Sequence, residues 1–145
     1  MAQAAQSYEN HTRFYPPFHF FVMPVLLIHV INQGRHLWAS PNQSTGFAFL
    51  LALALAMLAL TARGMALKAQ DRVIRLEMHA RMRELLPADL AAGIGDVAPA
   101  HLVALRFAGD RELPDLVRAV LAGTLTTQKA IKLQIRDWKG DYLRV

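Results

Sequence analysis

From His36 to Ala62 the chain carries no aspartate, glutamate, lysine or arginine, and from Gly46 onward the run is almost wholly alanine, leucine, phenylalanine and methionine. A helix needs about 20 predominantly apolar residues to cross the hydrocarbon of a bilayer, and an arginine at its end can reach the headgroups along its own aliphatic stem. Residues 46–66, with Arg63 near one end, meet that requirement and read as a transmembrane helix.

A second apolar block, Phe18–Ile31, is short by itself. Phe14–Pro17 in front and Asn32-Gln33 behind extend it to spanning length, as residues 14–33. Pro16 and Pro17 suit a helix start, where a missing N–H costs nothing, whereas Pro24 lies inside and is expected to kink the helix. A signal peptide cut near Trp38-Ala39-Ser40 is the competing reading. The long preceding segment, in which Arg13 is opposed by Glu9, speaks against it. The 54% hydrophobic content is concentrated in these two blocks, and the remainder reads as a polar helical sequence. The expected fold is therefore an all-α membrane protein, a two-helix transmembrane hairpin with a long stalk helix and a small cytoplasmic helical bundle.

Charge orients the hairpin. The net charge of +5 points to an anionic surface, nucleic acid or membrane, and its location decides between them. Arg63, Lys68, Arg72, Arg75, Arg81 and Arg83 follow the second span closely, while the loop 34–45 holds only Arg35. The positive-inside rule puts residues 67–145 and the N-terminal arm 1–13 in the cytoplasm of a bacterial inner membrane, with loop 34–45 in the periplasm. No nucleic-acid-binding motif is present. Absence of cysteine excludes disulfides, thiolate metal sites and thiol nucleophiles.

Beyond the second span no breaker but Gly64 intervenes before Pro87, so the helix is expected to continue as a stalk over 67–86. Leu67, Ile74, Met78, Met82 and Leu85 form its apolar stripe, with Asp71–Arg75 and Glu77–Arg81 as i,i+4 ion pairs. The segment 87–145 reads as short helices: Ala98–Ala108; a second capped by Asp110 and ending at Gly123; and a third starting at Thr126 or Thr127 with Ile131, Ile135, Trp138 and Tyr142 on one face. Lys129, Lys132, Arg136, Lys139 and Arg144 would give that last helix a basic side able to touch anionic lipid.

Three groups of residues could carry function. Gly46, Ala48, Ala52, Ala56 and Ala59 recur at intervals that lay small side chains along one helix face, a surface for close helix–helix contact. His29, Asn32, Gln33 and His36 form a polar stripe, and an ionisable group inside a membrane helix is a functional candidate by default. Tyr8, Phe14, Tyr15, Phe18, Phe20 and Phe21, with His11, Arg13 and His19, resemble an interfacial aromatic collar. No constellation offers an acid, a base and a nucleophile in defined roles, and neither a metal nor a cofactor site is expected. Haem could be held by His19 or His29 only across chains, because the second span has no histidine.

The segments Tyr8-x-Asn10-His11-x-Arg13 with Pro17-x-His19, Leu67-Lys68-Ala69-Gln70-Asp71-Arg72-Val73-Ile74-Arg75-Leu76-Glu77, Leu85-Leu86-Pro87, and Leu105-Arg106-Phe107-Ala108 with Glu112-Leu113-Pro114 resemble a family of small uncharacterised bacterial membrane proteins, some of them labelled transporter permeases. The resemblance covers most of the chain. It implies two spans and a cytoplasmic helical tail, and it marks Tyr8, Asn10, His11, Arg13, Pro17 and His19 as motif residues without giving them a role. The function expected is non-enzymatic: a scaffold or accessory subunit that self-associates or joins a larger membrane complex. The alternative is an oligomeric transport or channel subunit built around His29, Gln33 and His36.

Overall fold

The computed structural model describes residues 7–9 and 14–141, and all of its regular elements there are helical. A π-helical segment, Pro17–Val22, runs directly into α1, Met23–Ala39. Then follow α2, Gln43–Leu85; α3, Ala88–Ala91; a 3-10 turn, Ile94–Asp96; α4, Pro99–Leu105; α5, Leu113–Leu121; and α6, Gln128–Gln134. The chain divides into two units, one of residues 13–67 and one built on residues 68–144.

In the first unit Pro24 leaves the helix unbroken. A proline cannot donate to the carbonyl four residues back, and its ring needs room in the preceding turn. The wide π register just before it, in which the Met23 N–H bonds to the Phe18 carbonyl, provides that room. Helix thus extends from Pro17 to Ala39, 23 residues, or about 34 Å of helical rise.

The loop expected over 34–45 contracts to Ser40-Pro41-Asn42, because α1 continues to Ala39 and α2 begins at Gln43. Asn42 and Thr45 close the turn reciprocally. The Thr45 N–H donates to Asn42 Oδ1 at 3.0 Å, the Asn42 N–H donates to Thr45 Oγ1 at 3.1 Å, and the Thr45 hydroxyl donates to the Ser40 carbonyl at 2.8 Å. This is a capping box with threonine in the place of the usual glutamate, and it satisfies two amide groups that a helix start leaves open.

Helix α2 runs 43 residues without interruption at Gly64. In the second unit its Ile74, Met78 and Met82 are buried at i,i+4 spacing and join the core of the bundle together with Leu86. Leu67, the first residue of the expected stripe, is exposed instead. Phe107, Met82, Leu102, Leu105, Leu113, Ile131 and Val117 are the largest fully enclosed side chains. Each stabilises the bundle by about 1.5–3 kcal/mol relative to exposure.

The bundle helices are shorter than their periodicity suggests. Helix α4 stops at Leu105 rather than Ala108. Helix α5 ends in a Schellman motif: Gly123 has φ of 73°, its N–H bonds to the Val120 carbonyl, and the Thr124 N–H bonds to the Ala119 carbonyl. Asp110 does not cap α5 but pairs with Arg81. Helix α6 starts as expected at Thr127, whose side chain accepts from the Ala130 N–H, but it ends at Gln134. Ile135 and Trp138 reach the core from extended chain, with an antiparallel bridge between Ala108 and Trp138 and a 2.7 Å bond from the Lys139 N–H to the Phe107 carbonyl. Lys129 and Lys132 remain on α6, whereas Arg136 and Lys139 lie beyond its end, so the expected single basic helix face does not form. Tyr142 and Arg144 lie outside the described residues.

Candidate functional site

The hairpin is built on one face of each helix. Val22, Leu26, His29, Gln33 and Leu37 of the first are half-buried at spacings of three or four. On α2, Gly46, Ala48, Ala56 and Ala59 are half-buried and Ala52 is fully buried. The two faces meet. A methyl group on Gly34 would lie 3.4 Å from the Phe49 ring, Val22 and Ala59 border the same cleft, and the Arg63 guanidinium lies 5.8 Å from the centre of the Phe18 ring. The small-residue face that the sequence offers for helix association therefore lies toward α1 of the same chain, with side chains such as Phe49 filling the space between the two helices.

The polar stripe divides. His29 and Gln33 lie on the half-buried face, while Asn32 and His36 are exposed. Of the collar, Asn10, His11 and Arg13 lie outside the described residues, and Tyr8 sits half-buried in a turn. Pro17 and His19 have local work. Pro16 and Pro17 bring no N–H, and the Tyr15 N–H just before them lies 3.1 Å from His19 Nδ1, within reach of a capping bond. The His19 ring also sits edge-on to Phe14 and Phe18, each 5.2 Å between centres. In the Pro17-x-His19 motif the histidine thus serves the start of the helix.

The second unit holds a network that no local sequence pattern announces. Arg81 of α2 donates from Nε and Nη2 to Asp110 Oδ1 at 2.8 and 2.6 Å, and from Nη1 and Nη2 to the carbonyls of Arg106 and Ala108. It thereby ties α2 to the connection between α4 and α5, rather than pairing with Glu77 one turn back. Lys139 Nζ lies 3.7 Å from the same Asp110 oxygen. The hydrogen bond from Arg81, then its charge, with Lys139 adding to both, hold the Asp110 carboxyl below its ordinary value of 3.8.

Glu112 serves the neighbouring turn. Its carboxylate accepts from the N–H groups of Gly109, Arg136 and Asp137 at 3.3, 3.0 and 3.2 Å. Three amides at the end of α4 and beyond α6 are satisfied by one side chain, which is how the chain leaves helix at Gln134 without orphaned donors. Gly109 is required here, since a methyl group would lie 2.8 Å from Asp137 Cγ. Nearby, Phe107 is covered by the Trp138 ring at 5.1 Å and by the Arg106 guanidinium at 4.4 Å, and Arg106 Nε forms an ion pair with Asp141 at 3.0 Å.

Two surface clefts border this network. One of about 380 Å³ is lined by Glu77, Met78, Arg81, Arg106, Lys139 and Asp141; the other, of about 560 Å³, runs beside Glu112, Asp115, Leu116, Leu125 and Arg136. His101 Nε2 lies 3.1 Å from the Thr126 carbonyl, a structural contact. Among the described residues no group of three His, Asp or Glu side chains converges where a metal could bind.

The motifs of both units lie within one family match, which spans residues 1–145. The chain belongs to DUF6526, a family of unknown function. No curated protein and no solved structure matches it. Membership of DUF6526 agrees with the resemblance to an uncharacterised family. Within this DUF6526 chain, Arg106-Phe107-Ala108 and Glu112, which belong to the quoted motifs, are the residues that close the bundle.

Proposed function

We propose that this protein is a non-enzymatic integral inner-membrane scaffold or accessory subunit, anchored by the helical hairpin and docking a partner through a cytoplasmic bundle. The observation that carries the reading is the inverted exposure of the hairpin. Phe20, Phe21, Ile28, Phe47, Leu50 and Leu58 are all more than 60% exposed, and the most apolar stretches of the two long helices are 0% and 6% buried. A core helix of a water-soluble protein also passes a test of length and composition, but it hides that surface. Lipid is the medium in which such a surface is stable, and every backbone group inside a helical hairpin is already satisfied there. The positive charge following the second span supports a cytoplasmic location for residues 67–145. Exposed Lys129 and Arg136 suit contact with anionic headgroups.

The transport alternative rested on a continuous polar stripe. His29 and Gln33 are half-buried within the hairpin while His36 is exposed, so the three do not present one open stripe.

The test uses the cysteine-free sequence. The full chain is expected to stay in the membrane pellet after alkaline carbonate extraction. In intact spheroplasts a membrane-impermeant maleimide is expected to label Pro41→Cys and to leave Gln128→Cys unlabelled until the cells are opened. Release by carbonate, or labelling at 128 in intact cells, would refute the anchor or its orientation.

A further inference from the structure

On the side of α2 away from the bundle, Val73 is 52% exposed and Leu76 70% exposed, with exposed Ala69 and Ala80 in line with them. The four residues are spaced by four, three and four. That is the a/d pattern of a coiled coil, with Val73, which is β-branched, and Ala80 at a and Ala69 and Leu76 at d; the next d position is Arg83, where the apolar seam ends. On a helix this seam lies roughly opposite Ile74, Met78 and Met82, which hold the bundle. Covering the seam therefore leaves the bundle undisturbed.

The flanking residues say what covers it. In this register Arg72 and His79 take g positions, and Glu77 and Glu84 take e positions. In a parallel two-stranded coil each g residue meets the e residue five positions on in the other chain. Arg72 then meets Glu77 of a second copy, and His79 meets Glu84, a hydrogen-bond donor against a carboxylate. In an antiparallel pairing g meets g and e meets e, which would set Arg72 beside His79 and glutamate beside glutamate. In a parallel coil, valine at a with leucine at d favours two strands over three or four.

We infer that the protein is a homodimer through a parallel, in-register coiled coil over residues 69–80, with Val73 and Leu76 at its centre. This rests on the membrane reading above and moves self-association from the alanine face of the hairpin, which lies toward α1, to the stalk. A seam of under two heptads is short for chains free in water. Two chains anchored in one bilayer present it in the same direction at high effective concentration, and that makes a short seam sufficient.

The test is cysteine cross-linking of the full chain in isolated membranes, with copper–phenanthroline as oxidant. Facing d positions of a parallel pair lie within reach of a disulfide, whereas an outward position does not. Ala69→Cys and Leu76→Cys are both expected to run mainly as covalent dimer, and Arg75→Cys, one residue outside the seam, to give several-fold less. Cross-linking at 76 without 69 would overturn the parallel register, and equal yields at 75 and 76 would overturn the seam. Adding Glu77→Arg to Ala69→Cys is expected to lower the dimer yield several-fold, and adding Arg72→Glu as well to restore it. Failure to restore would remove the charge pairing. Carbonate extraction of the same samples separates the two readings: a membrane-retained chain without dimer refutes the coiled coil alone, and a released chain refutes the anchor whatever the cross-links show.

Discussion

The two halves of α2 use the same kind of helix in opposite ways. Through the hairpin half of α2, Leu50, Leu51, Leu55, Leu58 and Leu60 are exposed and Ala52 is the one fully buried residue; beyond Lys68, Ile74, Met78 and Met82 point inward and most charges are exposed. The same apolar atoms seek the same medium in both halves. On the membrane reading proposed above, what differs is where that medium lies, outside the hairpin and inside the bundle, so exposure rather than composition would separate an anchor from a domain.

The comparison predicts a large difference in mutational cost. Phe107→Ala should destabilise the bundle by about 3–5 kcal/mol, because it opens a cavity beneath Trp138 and Arg106. Denaturant unfolding of the full chain in micelles, followed by Trp138 fluorescence in a Trp38→Phe background, reads this directly. Leu58→Ala, an equally drastic truncation on the outward face of the hairpin, should change stability by less than about 0.5 kcal/mol in the same assay. Similar losses at the two sites would abolish the distinction.

Arg81→Met should come next, at about 1–3 kcal/mol, since it leaves Asp110 without its main cation and the carbonyls of Arg106 and Ala108 without a donor. Asp110→Ala is expected to cost less, as it removes only the exposed end of the pair. If the two variants are equal, the carbonyl contacts contribute nothing.

Within the hairpin, Ala52→Leu should weaken the packing of α1 on α2 by a comparable 1–3 kcal/mol or so, through overpacking at the tightest contact. Thermal unfolding in micelles would show this as a lowered transition. Tolerance equal to that of Leu58→Ala would mean that α1 does not lie on the alanine face.

The smallest effect is that of pH. Asp110 has its pKa lowered in the folded state, so its contribution is complete above the unfolded value of about 3.8 and is lost as pH falls through the depressed value. The wild-type bundle should lose stability below about pH 4 by a slightly larger step than Asp110→Asn. Identical acid profiles would show that the Arg81–Asp110 pair adds nothing beyond its exposed, solvent-screened limit.

Much of this architecture is legible in the chain because it is local. The charge-free run from His36 to Ala62, the stop at Pro87, the cap at Thr127 and the left-handed Gly123 each follow from a few adjacent residues. The early end of α6 is not legible. Ile131, Ile135 and Trp138 keep a helical period, yet Glu112, more than twenty residues earlier, holds the Arg136 and Asp137 amides in a bend. The alanine face was visible as a contact surface but not its occupant, and the Arg81–Asp110 pair, 29 residues apart, left no trace beside the more obvious Glu77–Arg81 spacing.

The sequence by itself determined the helical class, the two apolar segments and their charge asymmetry, because these depend on composition and period along one element. The tertiary structure alone decided which face of α2 meets α1, which meets the bundle and which is left bare. Those choices depend on groups distant in sequence competing for the same amides, carbonyls and apolar surface, and only folding in space resolves that competition.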